Sequence, residues 1–183
     1  MNQSLTVTFA RGARRVTGSN FLLEAADGGK VVRILIDCGL AQGERYCESV
    51  NKEEFSYDPS TIDAIFFTHA HEDHVAALGW CIAHGFHGRV LMSAETRREA
   101  DASIAAYGSA DEHALARDYA TDVLPLGAGA LGAGPFDVST GRSGHMAGAV
   151  WIAVDDGRAR LACCGDMVPS SPVVATDPLG PAD

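Results

Sequence analysis

The chain has no long apolar run. Nothing in its 183 residues approaches the roughly 20 consecutive apolar residues of a membrane-spanning helix. Its first residues, Met1-Asn2-Gln3-Ser4, hold neither the basic nor the apolar region of a secretory signal, so no membrane partner is expected and the cytoplasm is the expected compartment. Paired cysteines are also missing. Five cysteines, an odd number with no Cys-x-x-Cys spacing, argue against both a disulfide framework and a zinc ribbon. Cys38, Cys81, Cys163 and Cys164 lie in apolar stretches and read as reduced core residues. Positive charge is scarce: 14 Lys and Arg against 24 Asp and Glu give a formal charge of −10, the wrong sign for a broad basic face on nucleic acid. A polyanion can still be held locally where metal cations reverse the field. What is present is ordinary for a globular protein, 46% hydrophobic and 21% charged, in a length that suits one domain with a sizeable core.

Against this background one stretch stands out. Thr68-His69-Ala70-His71-Glu72-Asp73-His74 puts three of the seven histidines and two carboxylates into six residues, directly after the apolar run Ile62 to Phe67. A strand ending there delivers these side chains to one rim of a sheet. The His-x-His alternation lets both rings face one point, while Asp73 and His74, around the following turn, face a second point nearby. Imidazole suits zinc, and a mixed imidazole and carboxylate set also suits manganese or iron. A polar loop closing a strand is the plain alternative.

The rest of the chain supplies strands with polar ends. Leu5, Val7 and Phe9 alternate with Thr6 and Thr8 as a half-buried strand, followed by a glycine-punctuated loop, Arg11 to Ser19, with three arginines that suits a phosphate or a solvated turn equally. Asn20 to Ala26 and Lys30 to Cys38 form a hairpin across Asp27-Gly28-Gly29, and the second strand ends at Asp37, either an acceptor behind a metal-bound histidine or a turn cap. The stretch from Gly43 to Asp58 is polar and irregular, with a turn at Asp58-Pro59-Ser60. From Val75 the pattern is helical to about Gly85, which leaves His84 and His87 at the surface. Arg89 to Met92 is a strand, and helices follow over Ala94 to Tyr107 and from Ser109 to Tyr119, where His113 has no evident partner. Gly127 to Gly132 matches G-x-G-x-x-G but follows Pro125 and opens no helix, so it predicts a flexible connection and not a dinucleotide site. Phe136 to Thr140 is a strand leading to the glycine-flanked His145. Ala149 to Val154 and Arg158 to Cys164 form a second hairpin across Asp155-Asp156-Gly157, ending at Gly165-Asp166.

His69-x-His71-x-Asp73-His74, with Gly144-His145 and then Gly165-Asp166, resembles the metallo-β-lactamase superfamily. Gly12 to Ser19, Ile36-Asp37-Cys38-Gly39-Leu40 with Gln42-Gly43, and Gly144-His145-Met146-Ala147-Gly148 are similar to its β-CASP branch of RNA-processing ribonucleases, over about Val7 to Asp166. The resemblance implies an α/β fold, the αββα sandwich of the superfamily, with residues 1–183 as its N-terminal portion. On that resemblance the C-terminal elements and the β-CASP insertion, which would begin after Asp166, are expected to be absent from residues 1–183. It implies two zinc ions, the first held by His69, His71 and His145, the second by Asp73 and His74, with Asp166 bridging. Asp73 and Asp37 are the implied catalytic carboxylates, Asp73 orienting the water and Asp37 steadying the site. The implied reaction is hydrolysis of phosphodiester bonds in RNA by a metal-activated water. No histidine follows His145, so a further histidine that the superfamily uses at its second zinc is missing. A hydrolase of thioesters, lactones or lactams and a non-catalytic binding subunit are the alternatives. An incomplete fold would expose apolar surface and favour self-association.

Overall fold

The computed structural model describes residues 5–43, 51 and 53–182, with residues 127–131 described by their backbone. Half of the irregular stretch expected over 43–58 falls outside them, as do Cys47 and the first four residues. Among the described residues, ten strands form two sheets. The first has the order β1 (Thr6–Arg11), β2 (Asn20–Asp27), β3 (Lys30–Ile36), β4 (Ala64–Phe66), β5 (Arg89–Met92) and β6 (Thr121–Val123). Its first three strands are antiparallel, and β3 to β6 run parallel. The second, fully antiparallel, has the order β10 (Arg160–Cys163), β9 (Val150–Asp155), β8 (Phe136–Arg142) and β7 (Gly127–Ala133). Four α-helices, α1 (Glu72–Val75), α2 (Leu78–Ala83), α3 (Ala94–Tyr107) and α4 (Ala110–Asp118), and a short 3-10 helix at Pro59–Thr61 complete the described elements.

The central strands are apolar on both faces because both faces are covered, as the pleat requires of a strand inside a sandwich. Leu35, Ile65, Phe67, Val90 and Met92 point to the helices and join Val75, Leu78, Cys81 and Ile104 in one core. Their neighbours Ile34, Ile36, Ala64, Phe66 and Leu91 point the other way and meet Phe136, Val138, Val150, Ile152 and Val154 of the second sheet in another. Three layers result, helices on sheet on sheet. Among the described residues the outer face of the second sheet carries no helix. On that face Trp151 meets the C-terminal segment instead, its Nε1 donating to the Asp177 carbonyl at 3.0 Å.

Several elements differ from what local pattern predicts. The stretch Gly127–Ala133 is not a flexible connection but strand β7, paired with β8 through a register irregularity. β6, three residues long, has no apolar alternation and is a strand through its parallel pairing with β5. The helix expected from Val75 begins earlier, at Glu72, and is interrupted at Ala76-Ala77. Phe9 is on the same side of the strand as Val7 but is not half-buried: it lies on the edge strand, 62% exposed, edge-to-face on Phe21. Cys38, Cys81 and Cys163 are buried as reduced thiols, whereas Cys164 is only half-buried. His113 does have a partner, Asp101 on α3 at 2.9 Å. Ser109 caps α4 in a full capping box with Glu112.

Candidate metal centre

The parallel strands β3, β4 and β5 all end on one rim, and β8 and β10 end on the same side. Ligands gather at the carboxyl ends of parallel strands because each strand there releases its chain into a loop whose start is fixed by the sheet. Asp37 follows β3, Thr68 and His69 follow β4, His145 follows β8, and Asp166 follows β10. The two sheets are laced together at this edge, where the Val150 N–H donates to the Thr68 carbonyl at 2.8 Å.

Asp73 and His74 do not lie on a turn; they occupy the first turn of α1. His71 is the N-cap of that helix and supplies no side-chain cap bond. The helix is instead gripped from outside by backbone bonds: Ser19 N–H to the Asp73 carbonyl (2.8 Å), Cys38 N–H to the His74 carbonyl (2.8 Å) and Leu40 N–H to the Glu72 carbonyl (3.1 Å). Gly39 permits this approach, since a Cβ at that position would overlap the Asp73 carbonyl. On the other side Ser103 of α3 donates to the Ala70 carbonyl at 2.6 Å, which fixes the loop between His69 and His71.

All six residues of the implied ligand set converge. His69, His71 and His145 form a nearly equilateral triangle, with ring centroids 4.8, 4.9 and 4.8 Å apart and ring planes 77–85° to one another. His71 Nδ1 lies 3.2 Å from His69 Nε2 and 3.2 Å from His145 Nε2. Asp166 Oδ2 completes the group at 3.5 Å from His145 Nε2 and 3.8 Å from His69 Nε2. A tetrahedral ion holding ligand atoms at about 2.0–2.1 Å keeps them about 3.3 Å apart. These pairs are 3.2–3.8 Å apart and all four atoms lie within 4.8 Å of one another, a group that could hold a cation. The other oxygen of the same carboxylate, Asp166 Oδ1, lies 3.6 Å from His74 Nε2, which in turn is 3.8 Å from Asp73 Oδ2. One carboxylate thus faces two clusters with one oxygen each. The second cluster draws on three residues and the first on four.

Behind the ligands is a buried network centred on Asp37 and Thr68. Asp37, with φ of 62°, accepts from Thr68 N–H (2.8 Å), His74 Nδ1 (2.7 Å) and Ser19 Oγ (3.2 Å). Thr68 Oγ1 lies 3.0 and 2.9 Å from the two Asp37 oxygens and 3.0 Å from His69 Nδ1. Its one proton goes to the carboxylate, so its oxygen accepts from His69 Nδ1–H and leaves the Nε2 lone pair facing the cluster. Asp37 therefore lies behind the histidines and not among the groups that face the clusters. Thr68 heads the stretch singled out in the sequence, but its role as the link between Asp37 and His69 emerges only from these contacts.

Electrostatics separate the two halves. Burial, helped by the neighbouring His74, His71 and His145, pushes His69 down to about 2, so this imidazole is neutral and ready to donate its lone pair. Burial likewise lowers His145. At His74 burial pushes downward but is outweighed by the hydrogen bond and charge of Asp37, with Asp73 and Asp166, and the imidazole is held above its ordinary value. Burial raises the Asp73 carboxyl, with Asp166 and Glu72 adding and His74 opposing.

The arginine loop borders a cleft of about 450 Å³ whose walls include Arg15, Thr17, Ser19, His74 and Asp166. Arg11 also lines this cleft, while its guanidinium stands 4.9 Å from the Phe55 ring centroid and donates to the Glu53 carbonyl. His84 and His87 are exposed and far from the clusters in bonding terms, His84 pairing with Trp80 and His87 with the Gly85 carbonyl.

Two stacked sheets under a helical layer, with imidazoles and carboxylates converging at the strand ends, define a sandwich with a candidate metal site at its rim. The family model of the metallo-beta-lactamase superfamily matches residues 14–183, and the chain belongs to that superfamily, whose members are mostly hydrolases. It is 33% identical over 175 residues to a protein named Ribonuclease TTHA0252 from Thermus thermophilus, covering 92% of this chain and 39% of the relative. It is 34% identical over 101 residues to a transcription termination factor FttA from Methanosarcina mazei, covering 52% of this chain and 15% of that protein. The chain thus spans well under half the length of these relatives. Among solved structures it is similar to a metallo-β-lactamase with a HARLDQ motif from Cronobacter sakazakii (20% identity, TM-score 0.52, 80% of this chain and 57% of that one). It is also similar to the metallo-β-lactamase SMB-1 (17% identity, TM-score 0.52, 81% and 57%). At these identities the likeness is one of fold. No described helix is long and apolar enough to cross a membrane.

Proposed function

We propose that the chain is the metal-holding part of a zinc-dependent ribonuclease of the β-CASP branch, acting on RNA in the cytoplasm, with residues 1–183 forming one metallo-β-lactamase-like unit. The observation that carries the reading is the divided Asp166 carboxylate, one oxygen on the His69, His71 and His145 cluster and the other on His74 and Asp73. His69, His71 and His145 would hold the first ion, Asp73 and His74 the second, and Asp166 both. When bound, a pair of zinc ions supplies a nucleophilic water at neutral pH and positive charge for the phosphoryl oxygens. The chain's own residues do the positioning: Asp37 fixes His74 through Nδ1, Thr68 fixes His69 through Nδ1, and Asp73 stands at the second cluster where it can orient the water. The choice of RNA is supported by the ribonuclease and termination-factor relatives and by the arginine loop beside the cleft.

Metal content and RNA cleavage test the site and the activity separately. The purified chain should retain zinc, one ion more firmly than the other because the second cluster has fewer groups. Single-stranded RNA should be cut in a reaction that chelator and His71→Ala both abolish. A chain that holds no zinc at micromolar metal contradicts the site. One that holds zinc and turns over thioesters or lactams but not RNA belongs to the other hydrolase reading.

A further inference from the structure

The metal clusters do not use the C-terminal segment after Asp166, yet that segment returns to the loop carrying His145. The Val168 N–H donates to the Ser143 carbonyl at 2.8 Å, Ser143 Oγ donates to the Asp166 carbonyl at 3.3 Å, and Ser143 forms an isolated bridge with Thr176. Thr176 Oγ1 donates back to the Val168 carbonyl at 2.7 Å, closing the segment into a loop. Gly144, with φ of 77°, lies directly beneath: a Cβ there would overlap Thr176 Oγ1 and the Val168 carbonyl. One residue on, Asp177 clamps Arg142. Its carboxylate accepts from Arg142 N–H (2.9 Å), Nε (3.0 Å) and an η nitrogen (2.6 Å), its own N–H donates to the Arg142 carbonyl (2.9 Å), and its carbonyl accepts from Trp151 Nε1 (3.0 Å).

We infer that the Arg142–Asp177 clamp is a positioning device for the metal centre, fastening the His145 loop and the Asp166 loop to one another. The inference rests on the proposed reading that His145 and Asp166 are ligands. These two enter the rim from separate strand ends, and neither is held by the Asp37–Thr68 network that orders His69 and His74. Within the strap each is two or three residues from a fixed point: Arg142 and Ser143 before His145, Val168 after Asp166. The bidentate guanidinium–carboxylate geometry, with backbone bonds on both sides, sets the register between the two loops, and that register is what brings His145 Nε2 to 3.5 Å from Asp166 Oδ2. Arg142 and Asp177 touch neither cluster, so they act through His145 and Asp166.

The test compares zinc affinity by chelator competition, and cobalt(II) absorption, in the wild-type chain, Asp177→Asn, Asp177→Ala and Asp122→Asn. Asp122 pairs with Arg89 at 2.8 Å on the far edge of the other sheet and controls for loss of any exposed ion pair. Removing a partner that orients a metal ligand typically lowers affinity 10–100-fold. Asp177→Ala should therefore weaken the tighter zinc site at least about 10-fold and alter the cobalt spectrum as His145 drifts from its place. Asp177→Asn, which can still accept from the Arg142 N–H, should fall between, and Asp122→Asn should match wild type. Affinity and spectrum unchanged in folded Asp177→Ala, or shifted equally in Asp122→Asn, would overturn the clamp. A wild-type chain that binds no zinc would instead defeat the metal-site reading beneath it.

Discussion

Replacing Thr68 by valine removes one hydroxyl from the place where both clusters are anchored. Valine keeps the shape, so the change is almost purely one of hydrogen bonds. Asp37 retains its bonds from Thr68 N–H, His74 Nδ1 and Ser19 Oγ but loses the donor at 2.9–3.0 Å. A bond to a charged acceptor contributes about 1.5–3 kcal/mol. His69 Nδ1–H, in a ring only 1% exposed, loses its acceptor at 3.0 Å. An orphaned buried donor costs about 1–3 kcal/mol. With partial relaxation, Thr68→Val should destabilise the metal-free chain by about 2–4 kcal/mol. Thr68→Ser, which keeps the hydroxyl and drops one methyl, should cost about 1 kcal/mol. A domain with about 5–15 kcal/mol of stability survives both changes, so urea denaturation of chelator-treated protein can read the difference. Zinc affinity should fall roughly 10–100-fold in the valine variant only, because the His69 tautomer is no longer fixed. Equal urea midpoints for valine and serine would refute the assignment of Thr68 as the hub.

Other outcomes follow from the same geometry. His69 has a folded value near 2 against an ordinary 6.5, so the folded chain binds fewer protons there than the unfolded one; its contribution is present above pH 6.5 and is lost as pH falls toward 2. His145 acts in the same sense. His74, raised, acts in the opposite one, contributing below pH 6.5 and fading as pH rises through its folded value. Urea midpoints of the chelated chain should therefore drop between pH 7 and 5, with a flatter slope in His69→Gln; an unaltered slope would contradict the burial argument. Gly39→Ala places a methyl into the Asp73 carbonyl and should cost about 1–3 kcal/mol while weakening the second zinc more than the first, as a two-step zinc titration would show. Zinc at 100 times its dissociation constant should raise stability by about 2.7 kcal/mol, reversed by chelator, and a melting temperature indifferent to zinc would count against any folded site. His84→Ala and His87→Ala, at exposed positions, should leave zinc stoichiometry at the wild-type value by elemental analysis.

Much of the rim was legible because its signals are local. An apolar run closed by Asp37, by Thr68-His69 or by Gly165-Asp166 announces both a strand and a side chain released at its end, and those strand ends are where the fold puts them. The start of α4 at Ser109 was readable for the same reason, its side chain bonding the backbone N–H of Glu112, whereas the Ser93 cap of α3 emerges only in the structure. What escaped depends on partners distant in sequence. β7 is built of glycine, alanine and one leucine, residues without β preference, and exists because β8 pairs with it. Helix α1 starts at Glu72 with no side-chain cap, held by backbone donors from Ser19, Cys38 and Leu40. His113 looked solitary because Asp101 is on another helix. The Asp177 clamp lies in a proline-punctuated tail that gives no local cue to Arg142, 35 residues earlier.

These distant contacts also say how the site can be present before any ion arrives. Three imidazoles whose lone pairs meet at 3.2 Å repel or, at best, share a proton, so the His69, His71 and His145 triangle is not held together from within. It is imposed from behind and above: Thr68 turns His69, Ser103 pins the loop that carries His71, and the strap fixes the entry to His145. Each of these restraints is a hydrogen bond between neutral or oppositely charged partners, formed without reference to a cation. The sandwich spends folding free energy to bring like groups together, and a cation entering the proposed cage would recover it as affinity. On that account, removing a restraint and removing a ligand differ in kind. Losing a ligand leaves a cage with one face open. Losing Thr68, Ser103 or Asp177 lets the histidines move apart, so affinity should fall although every ligand is still present.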